Sequence, residues 1–388
     1  MTPDKLVDVL IVGAGPTGAA LAIDLARRGL AIRLIDKAPQ AFAGSRAKGI
    51  QPRTLELFDD LGVLDDVLAA GAPYPKLGLH LGPFTVPWRM LRNVAPTAAV
   101  PHPNTWLIPQ HATERALHAR LEALQCRAEF GREFIGLRQH ADSVTTTVRG
   151  ADGIEQIASR YVVGADGGAS GVRKQLGIAF EGTTDERDLI LIVDATVAGL
   201  ARDRWHLWPG RGGFVGACPL PHGETFQWMI RLAADEEPPR DLAAIARRLL
   251  AATRDPRIEL REIHWQSVFR PNIRLAARYR AERVFLAGDA AHVHTPAGAQ
   301  GLNTGIQDAC NLGWKLAQVL AGAPDRLLDT YEAERRPIAA GVLGLSTRRY
   351  EAIGRLAPAA IRRGKDERQL TLTYRGGPLA AGAAGSAT

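Results

Sequence analysis

The chain has 388 residues, 46% of them apolar and 23% charged, with a formal net charge of +7. That composition excludes a disordered or fibrous chain, and the length suits two domains or one large domain with an inserted lobe. The positive charge is almost all arginine, scattered among Asp and Glu with no run of five like charges and no basic-aromatic stripe, so neither nucleic acid nor a membrane surface is expected as a partner.

Val7 to Val12 reads as a buried parallel strand, Gly13-Ala14-Gly15-Pro16-Thr17-Gly18 as a turn, and Ala19 to Arg28 as a helix stopped by Gly29. Ala31 to Asp36 is a second strand, completing a βαβ unit whose crossover is right-handed. Gly13 permits the sharp turn, Gly15 lets backbone approach a pyrophosphate, and Gly18 lets helix pack on strand. The phosphate would sit on the helix N-terminus, where free N–H groups and the dipole favour an anion. Asp36 follows Gly18 by 18 residues and is placed to accept hydrogen bonds from a ribose diol with a free 2′-hydroxyl, as in FAD or NAD. A glycine-rich structural turn is the alternative.

Thr54 to Leu61 and Thr113 to Leu124 have the pattern of amphipathic helices, with Pro- and Gly-rich strands and loops over 77–109 between them. Glu129 to Gly150 alternates polar and apolar and reads as an antiparallel hairpin, and Tyr161 to Ala165 as another buried strand. That strand ends in Gly164-Ala165-Asp166-Gly167, and Ser170 is placed to cap a helix holding Val172 and Arg173; a ligand contact and a plain strand–turn–helix both stay open here. Short strands follow at 189–197, 204–208, 213–219 and 225–233, then a helix over 241–252. Val284 to Ala287 returns to the buried-strand pattern and ends in Gly288-Asp289. A Pro- and Gly-rich loop leads from there into a helix over 305–320, placing backbone N–H groups against a planar, electron-rich ligand. The tail from Pro378 to Thr388 is Ala- and Gly-rich and is expected to be disordered.

These three motifs, in this order, resemble those of the class A flavoprotein monooxygenases, the para-hydroxybenzoate-hydroxylase-like aromatic hydroxylases, over residues 6–350. GAGPTG with Asp36 is similar to the family's ADP-binding fingerprint, GADGGASGVR (164–173) to its second motif, and GDAAHVHTPAGAQGLNTGIQDA (288–309) to its third, which holds the ribityl chain and lies against the flavin ring. Ser45-Arg46-Ala47 with Pro52 to Glu56, and Ile108-Pro109-Gln110 with Glu114 and Leu117, match further family segments. The nearest subgroup is that of the phenol, hydroxyphenylpropionate and polyketide hydroxylases. One departure is Ala299, where the family commonly has glycine, a change expected to alter how the flavin swings. Many relatives carry a thioredoxin-like C-terminal domain, which is expected to be missing here.

The resemblance implies an α/β fold: a Rossmann-like FAD-binding domain (GR2-type) with an inserted antiparallel-sheet substrate domain. Residues 1–76, 106–180 and 276–350 would form the FAD-binding domain, 77–105 and 181–275 the substrate lobe, and 351–388 a C-terminal helix and tail. Cofactor contacts are expected from Gly13, Gly15, Pro16, Thr17, Gly18, Asp36, Lys37, Arg46, Gln110, Asp166, Asp289, Pro296, Gly301, Leu302 and Asn303. Trp205, Trp208, Phe214, Trp228 and Met229 are candidates for lining the substrate, although alternate strand residues must face a core in any case. No catalytic residue is fixed, with Arg46, His292 and Pro296 as candidates beside the flavin; for the base that would deprotonate a phenol, His292 and His294 are candidates by position, and a purely structural hydrogen bond is the competing role for His292. The implied reaction consumes NADPH or NADH and O2 and hydroxylates an aromatic, phenolic or polyketide-like substrate through a flavin C4a-hydroperoxide. Alternatives are a halogenase, a dehydrogenase, an uncoupled NAD(P)H oxidase, or a non-catalytic binding protein on this fold. Trp205-His206-Leu207-Trp208-Pro209 only echoes the halogenase segment WxWxIP. Three widely spaced cysteines without a CxxC pair, no apolar run long enough to span a bilayer and no signal-type N-terminus lead to the expectation of a cytoplasmic chain without a metal site; a monomer and a homodimer both stay open.

Overall fold

The computed structural model describes residues 6–185, 188–210, 213–233, 236–295, 299–354 and 366–380. Strand Val7–Val12 lies at the centre of a parallel array, between Ile32–Asp36 and the far end of Gly153–Gly164. Ala128–Phe130 extends the array beyond Ile32–Asp36, and Val284–Leu286 extends it beyond Gly164. These strands are short continuous runs of Val, Ile and Leu because both faces are covered; Val9, Leu10 and Ile11 have no exposed surface. Helix Pro16–Ala26 covers one face and packs on helix Gly301–Leu320. The chain leaves the first strand towards Ile32 on one side and returns to the other side at Gly164. That reversal opens a crevice at the carboxyl ends of the strands, where open α/β sheets take their ligands.

The expected hairpin over 129–150 is longer and differently joined. Glu133–Gln139, Val144–Gly150 and Gly153–Gly164 form an antiparallel meander, and the last of these strands continues into the parallel array. Residues 128–130 belong to the parallel array instead.

A seven-stranded sheet makes the second layer, in the order 259–269, 189–198, 225–232, 213–219, 204–210, 76–81, 84–88. Every pairing is antiparallel except one: Arg204–Leu207 runs parallel to Lys76–Leu79. This single parallel junction joins the two chain segments of the lobe. Helix Leu242–Thr253 packs on one face, and Asp241 caps it by accepting from the Ala244 N–H at 2.8 Å. Beneath it lies a separate apolar core that includes Val193, Ala195, Trp208, Phe226, Trp228, Ile230 and Ile245.

Helix Asp329–Gly354 crosses Pro337, and residues 366–380 return to dock on the first layer, with Glu367 and Gln369 buried. The tail assigned to disorder falls largely on 381–388, outside the described residues.

Candidate active site

The first glycine motif builds an anion cradle. Gly13 has φ +108°, and a Cβ there would stand 2.3 Å from the Ala165 carbonyl oxygen, so only glycine lets this turn touch the second motif. A Cβ on Gly18 would stand 1.9 Å from the Gly13 oxygen, which makes the helix-on-turn packing glycine-dependent as well. Gly15 is different: nothing lies within 4 Å of where its Cβ would be, so its backbone borders open space at the start of a helix that has no side-chain cap. A pocket of about 360 Å³ opens there, lined among others by Ala14, Gly15, Asp36, Phe42, Gln110 and Glu114. Asp36 reaches it from the end of the second strand, with one carboxylate oxygen accepting from the Ala14 N–H and the other from Ala38, both at 2.8 Å. Lys37 is exposed beside it.

Two residues of this pocket deepen the sequence reading. Glu114 is buried; burial pushes its carboxyl up to about 7, with Asp36 adding to the effect and the Gln110 amide, donating at 2.8 Å, opposing it. His118, which sequence reasoning missed, bonds through Nε2 to the Ala14 carbonyl at 3.0 Å, and burial pushes its pKa down. A neutral imidazole with its proton on Nε2 suits that contact. Only the helical spacing Gln110–Glu114–His118 signalled that these side chains share one face.

The second and third motifs meet the first. Asp166 accepts through one oxygen from the Gly171 and Val172 N–H groups at 2.7 and 3.2 Å, and its other oxygen is buried without a partner among the described residues. Ser170 caps the same short helix through Arg173 N–H, as its position in the motif led us to expect. Arg173 then donates to the Ala290 carbonyl at 2.9 Å and to Gly168 at 2.8 Å, tying the second motif to the third. Gly288 and Gly305 both close on Thr17: a Cβ on either would stand 2.5 or 2.3 Å from its hydroxyl oxygen. Asp289 is exposed at the strand end beside them. Helix Gly301–Leu320 also begins without a side-chain cap, so the backbone N–H groups of Gly301 and Leu302 head a second uncapped N-terminus.

The loop into that helix is pinned to residues 45–51. Asn303 is fully buried and spends its side chain on protein groups: its oxygen accepts from the Gln51 N–H, and its nitrogen donates to the Gly49 and Ala299 carbonyls. Any cofactor contact from Asn303 therefore falls to its backbone. Ala299 adopts φ +53°, the left-handed region that favours glycine, and a Cβ on Gly49 would stand 2.8 Å from its methyl. Pro296 lies outside the described residues. The guanidinium of Arg46 is exposed, while its carbonyl accepts from Gln227 at 3.3 Å.

His292, one of the catalytic candidates, lies in the buried core. It has no exposed surface, its Nε2 lies 2.6 Å from Asp308, and Asp308 also accepts from Arg335 at 2.7 Å. Burial raises the Asp308 carboxyl, but His292 and Arg335 together hold it below its usual range, the mark of a buried ionic cluster that organises the core. His294 is also buried, and neither ring nitrogen has a partner among the described residues. Burial pushes its pKa well down.

Strand alternation divides the five aromatic and sulfur candidates on the sheet. Trp208 and Trp228 stack at 5.9 Å within the core under helix Leu242–Thr253, on the face away from Trp205. Trp205, Phe214 and Met229 occupy the opposite, partly exposed face, with Cys218 and Gln227. This face meets residues 45–48. Asp194 accepts from the Ser45 N–H at 2.7 Å and from its hydroxyl at 2.5 Å, and Gln227 donates to the same hydroxyl. Buried Lys48 donates to the Gln227 carbonyl oxygen and sits 4.6 Å above the Trp205 ring. This network joins positions up to 182 residues apart, and nothing local in the sequence marks it.

With this geometry described, comparison with known proteins is informative. The FAD binding domain family matches residues 6–346. A "Flavin-dependent monooxygenase" of Mycobacteroides abscessus is 43% identical over 383 residues, covering 96% of this chain and 79% of that protein. The pentachlorophenol 4-monooxygenase of Sphingobium chlorophenolicum is 36% identical, covering 86% and 63%. Among solved structures, a ternary complex of aklavinone-11 hydroxylase with FAD and aklavinone superposes with a TM-score of 0.81 at 29% identity, covering 94% of this chain and 72% of that one.

Proposed function

The chain belongs to the FAD binding domain family, and from that premise we propose that it is an FAD-dependent monooxygenase that hydroxylates an aromatic substrate of the phenolic or polyketide kind. The observation that carries this reading is the meeting of three strand-end motifs at Thr17 and Ala165, beside a pocket bordered by Gly15 and Asp36. The residues present fit FAD: open space at Gly15, an uncapped helix start, a carboxylate at the end of the neighbouring strand and a buried Asp166 oxygen without a partner among the described residues.

In this reading the first-turn N–H groups of helix Pro16–Ala26 hold the diphosphate, Asp36 the adenosine ribose, and Asp289 the polyol chain. Gln110, Arg46 and Asp166 would border the cofactor, with exposed Lys37 at its rim. The Gly301 and Leu302 N–H groups, at an uncapped helix start, would favour negative charge on a flavin ring held there. Bound there, the flavin would supply the redox chemistry, taking two electrons from NADH or NADPH and activating O2 so that one oxygen atom enters the aromatic substrate and the other leaves as water. Trp205, Phe214 and Met229 would then receive the aromatic substrate and exclude water from it. The division into a cofactor-binding part and a sheet lobe, with boundaries near 76, 106, 180 and 276, belongs to the same reading.

The test is turnover of the purified protein with isotope-labelled O2, a phenol panel and NADH or NADPH. The expected result is a yellow protein whose NAD(P)H oxidation is stimulated by a phenol and whose product carries one labelled oxygen. Peroxide as the sole oxygen product, or a colourless protein that refuses added FAD, overturns the reading.

A further inference from the structure

The pocket beside Gly15 is lined by two carboxyl groups, Asp36 at the end of the second strand and Glu114 on helix Gln110–Ala123. Among the described residues no lysine, arginine or histidine lines it. Lys37, next to Asp36, is exposed, and so is Arg115, next to Glu114. His118, one turn along the helix, is bonded to the Ala14 carbonyl, and burial lowers its pKa. His111 lies on the Gly44 and Asp194 side, where burial lowers its pKa too. No cationic side chain therefore faces Glu114 across the pocket.

The two carboxyl groups are held differently. Asp36 accepts through both oxygens from backbone N–H groups, of Ala14 and Ala38, and enters the pocket as an acceptor. Glu114 is the more deeply buried of the two, and the Gln110 amide reaches it at 2.8 Å. Burial pushes its carboxyl up to about 7; Gln110 and the Phe42 backbone oppose the shift and Asp36 adds to it. A diphosphate seated at the uncapped start of helix Pro16–Ala26 brings further negative charge to the same place. Like charges gathered in a site without a cation do not all stay ionised, and the most buried acid takes the proton. Once protonated, a carboxyl has an O–H to donate, which a ribose or phosphate oxygen can accept.

We propose that Glu114 holds FAD as a neutral acid, donating its O–H to an oxygen of the ribose–diphosphate portion, so that the cofactor entering an ionised pocket brings a proton in with it. The inference rests on the functional reading above and deepens it by dividing the work of the two carboxyl groups: Asp36 accepts and Glu114 donates. Binding is then at full strength while Glu114 of the empty pocket is protonated, and it weakens as pH rises through about 7.

The experiment titrates FAD into the cofactor-free full chain by calorimetry at pH ~6 and ~8, in buffers of unlike ionisation enthalpy, which report the protons taken up on binding. Wild type should bind FAD about tenfold more weakly at pH ~8 than at pH ~6, since only about a tenth of the pocket is then protonated. Uptake should approach about one proton per FAD at pH ~8 and be small at pH ~6. Glu114→Gln, whose amide keeps a donor at every pH, should bind with affinities within about twofold at the two pH values and without proton uptake. A wild-type affinity that is flat with pH, no proton uptake at pH ~8, or the same pH dependence in Glu114→Gln overturns the proposal. The buffer comparison on the wild type decides the matter without any variant. Absence of saturable FAD binding at pH ~6 sinks the functional reading, whereas tight binding with no proton uptake at pH ~8 sinks this inference alone.

Discussion

Glu114 shows how one side chain in the cofactor pocket feels its surroundings. Its carboxyl is ordinary in the unfolded chain, near 4.5, and is pushed up to about 7 in the fold by burial first, with Asp36 adding to it. An acid whose folded pKa is raised stabilises the fold while protonated. That contribution is complete below about pH 4.5 and is lost as pH rises through about 7. Glu114→Gln keeps the neutral form at every pH. Unfolding of the cofactor-free protein should therefore show the variant ahead by about 2 kcal/mol at pH ~8, with the gap closing towards pH ~4.5. Equal stability of the two proteins across that range would contradict the placement. The placement of the glycines, Asp36 and Asp289 at strand ends and turns was legible in the sequence because strand, turn and helix follow one another within a few residues. The fates of the tryptophans were not. Alternation places Trp205 and Met229 opposite Trp208 and Trp228, but which face helix Leu242–Thr253 covers is decided only by packing. The His292–Asp308–Arg335 cluster was hidden similarly, since its members are 16 and 27 residues apart.

Among the elements, the strands of the parallel layer could be read directly, because burial on both faces leaves an apolar run bounded by glycine. Strand Glu259–Phe269 escaped notice: it is an edge strand, rich in charge, with two register shifts against Leu189–Ala198 that break its alternation. The C-terminal segment escaped for a different reason. Its role lies in polar contacts with a helix more than sixty residues upstream, which periodicity does not report. Gln369 donates to the Gln300 side chain at 2.5 Å and accepts from Gln307 at 2.6 Å, and Gln300 donates to the Glu367 carbonyl. Residues 366–369 thus hold the start of helix Gly301–Leu320, the element assigned to the ring of the cofactor. Gln369→Ala would leave two buried amides short of a partner and should cost about 1–3 kcal/mol. Hydrogen exchange in the first turns of that helix should quicken while exchange in strand Val7–Val12 is unchanged. Uniform quickening, or none, would remove the segment from this role.

At the scale of the whole molecule, two layers meet along one seam. The parallel layer ends in three loops that converge on the first glycine turn, and the sheet lobe turns a partly exposed face of Trp205, Phe214 and Met229 towards residues 45–48. No helix among the described residues is long and apolar enough to cross a membrane. The family and the mixed α/β architecture with its parallel sheet were legible from the order and spacing of the motifs, and family and structural likeness bear them out. The seam was not legible, because it is written in pairs such as Ser45–Asp194 and Lys48–Gln227 that only the fold brings together. The claim on which the rest depends is that the convergent loops hold one FAD. Flavin fluorescence titration of the cofactor-free protein tests it most directly. One FAD should bind per chain, with affinity reduced about tenfold or more by Asp36→Ala and by Gly15→Val, which fills the open space at the helix start. No saturable binding in the wild type, or unchanged affinity in both variants, would contradict it.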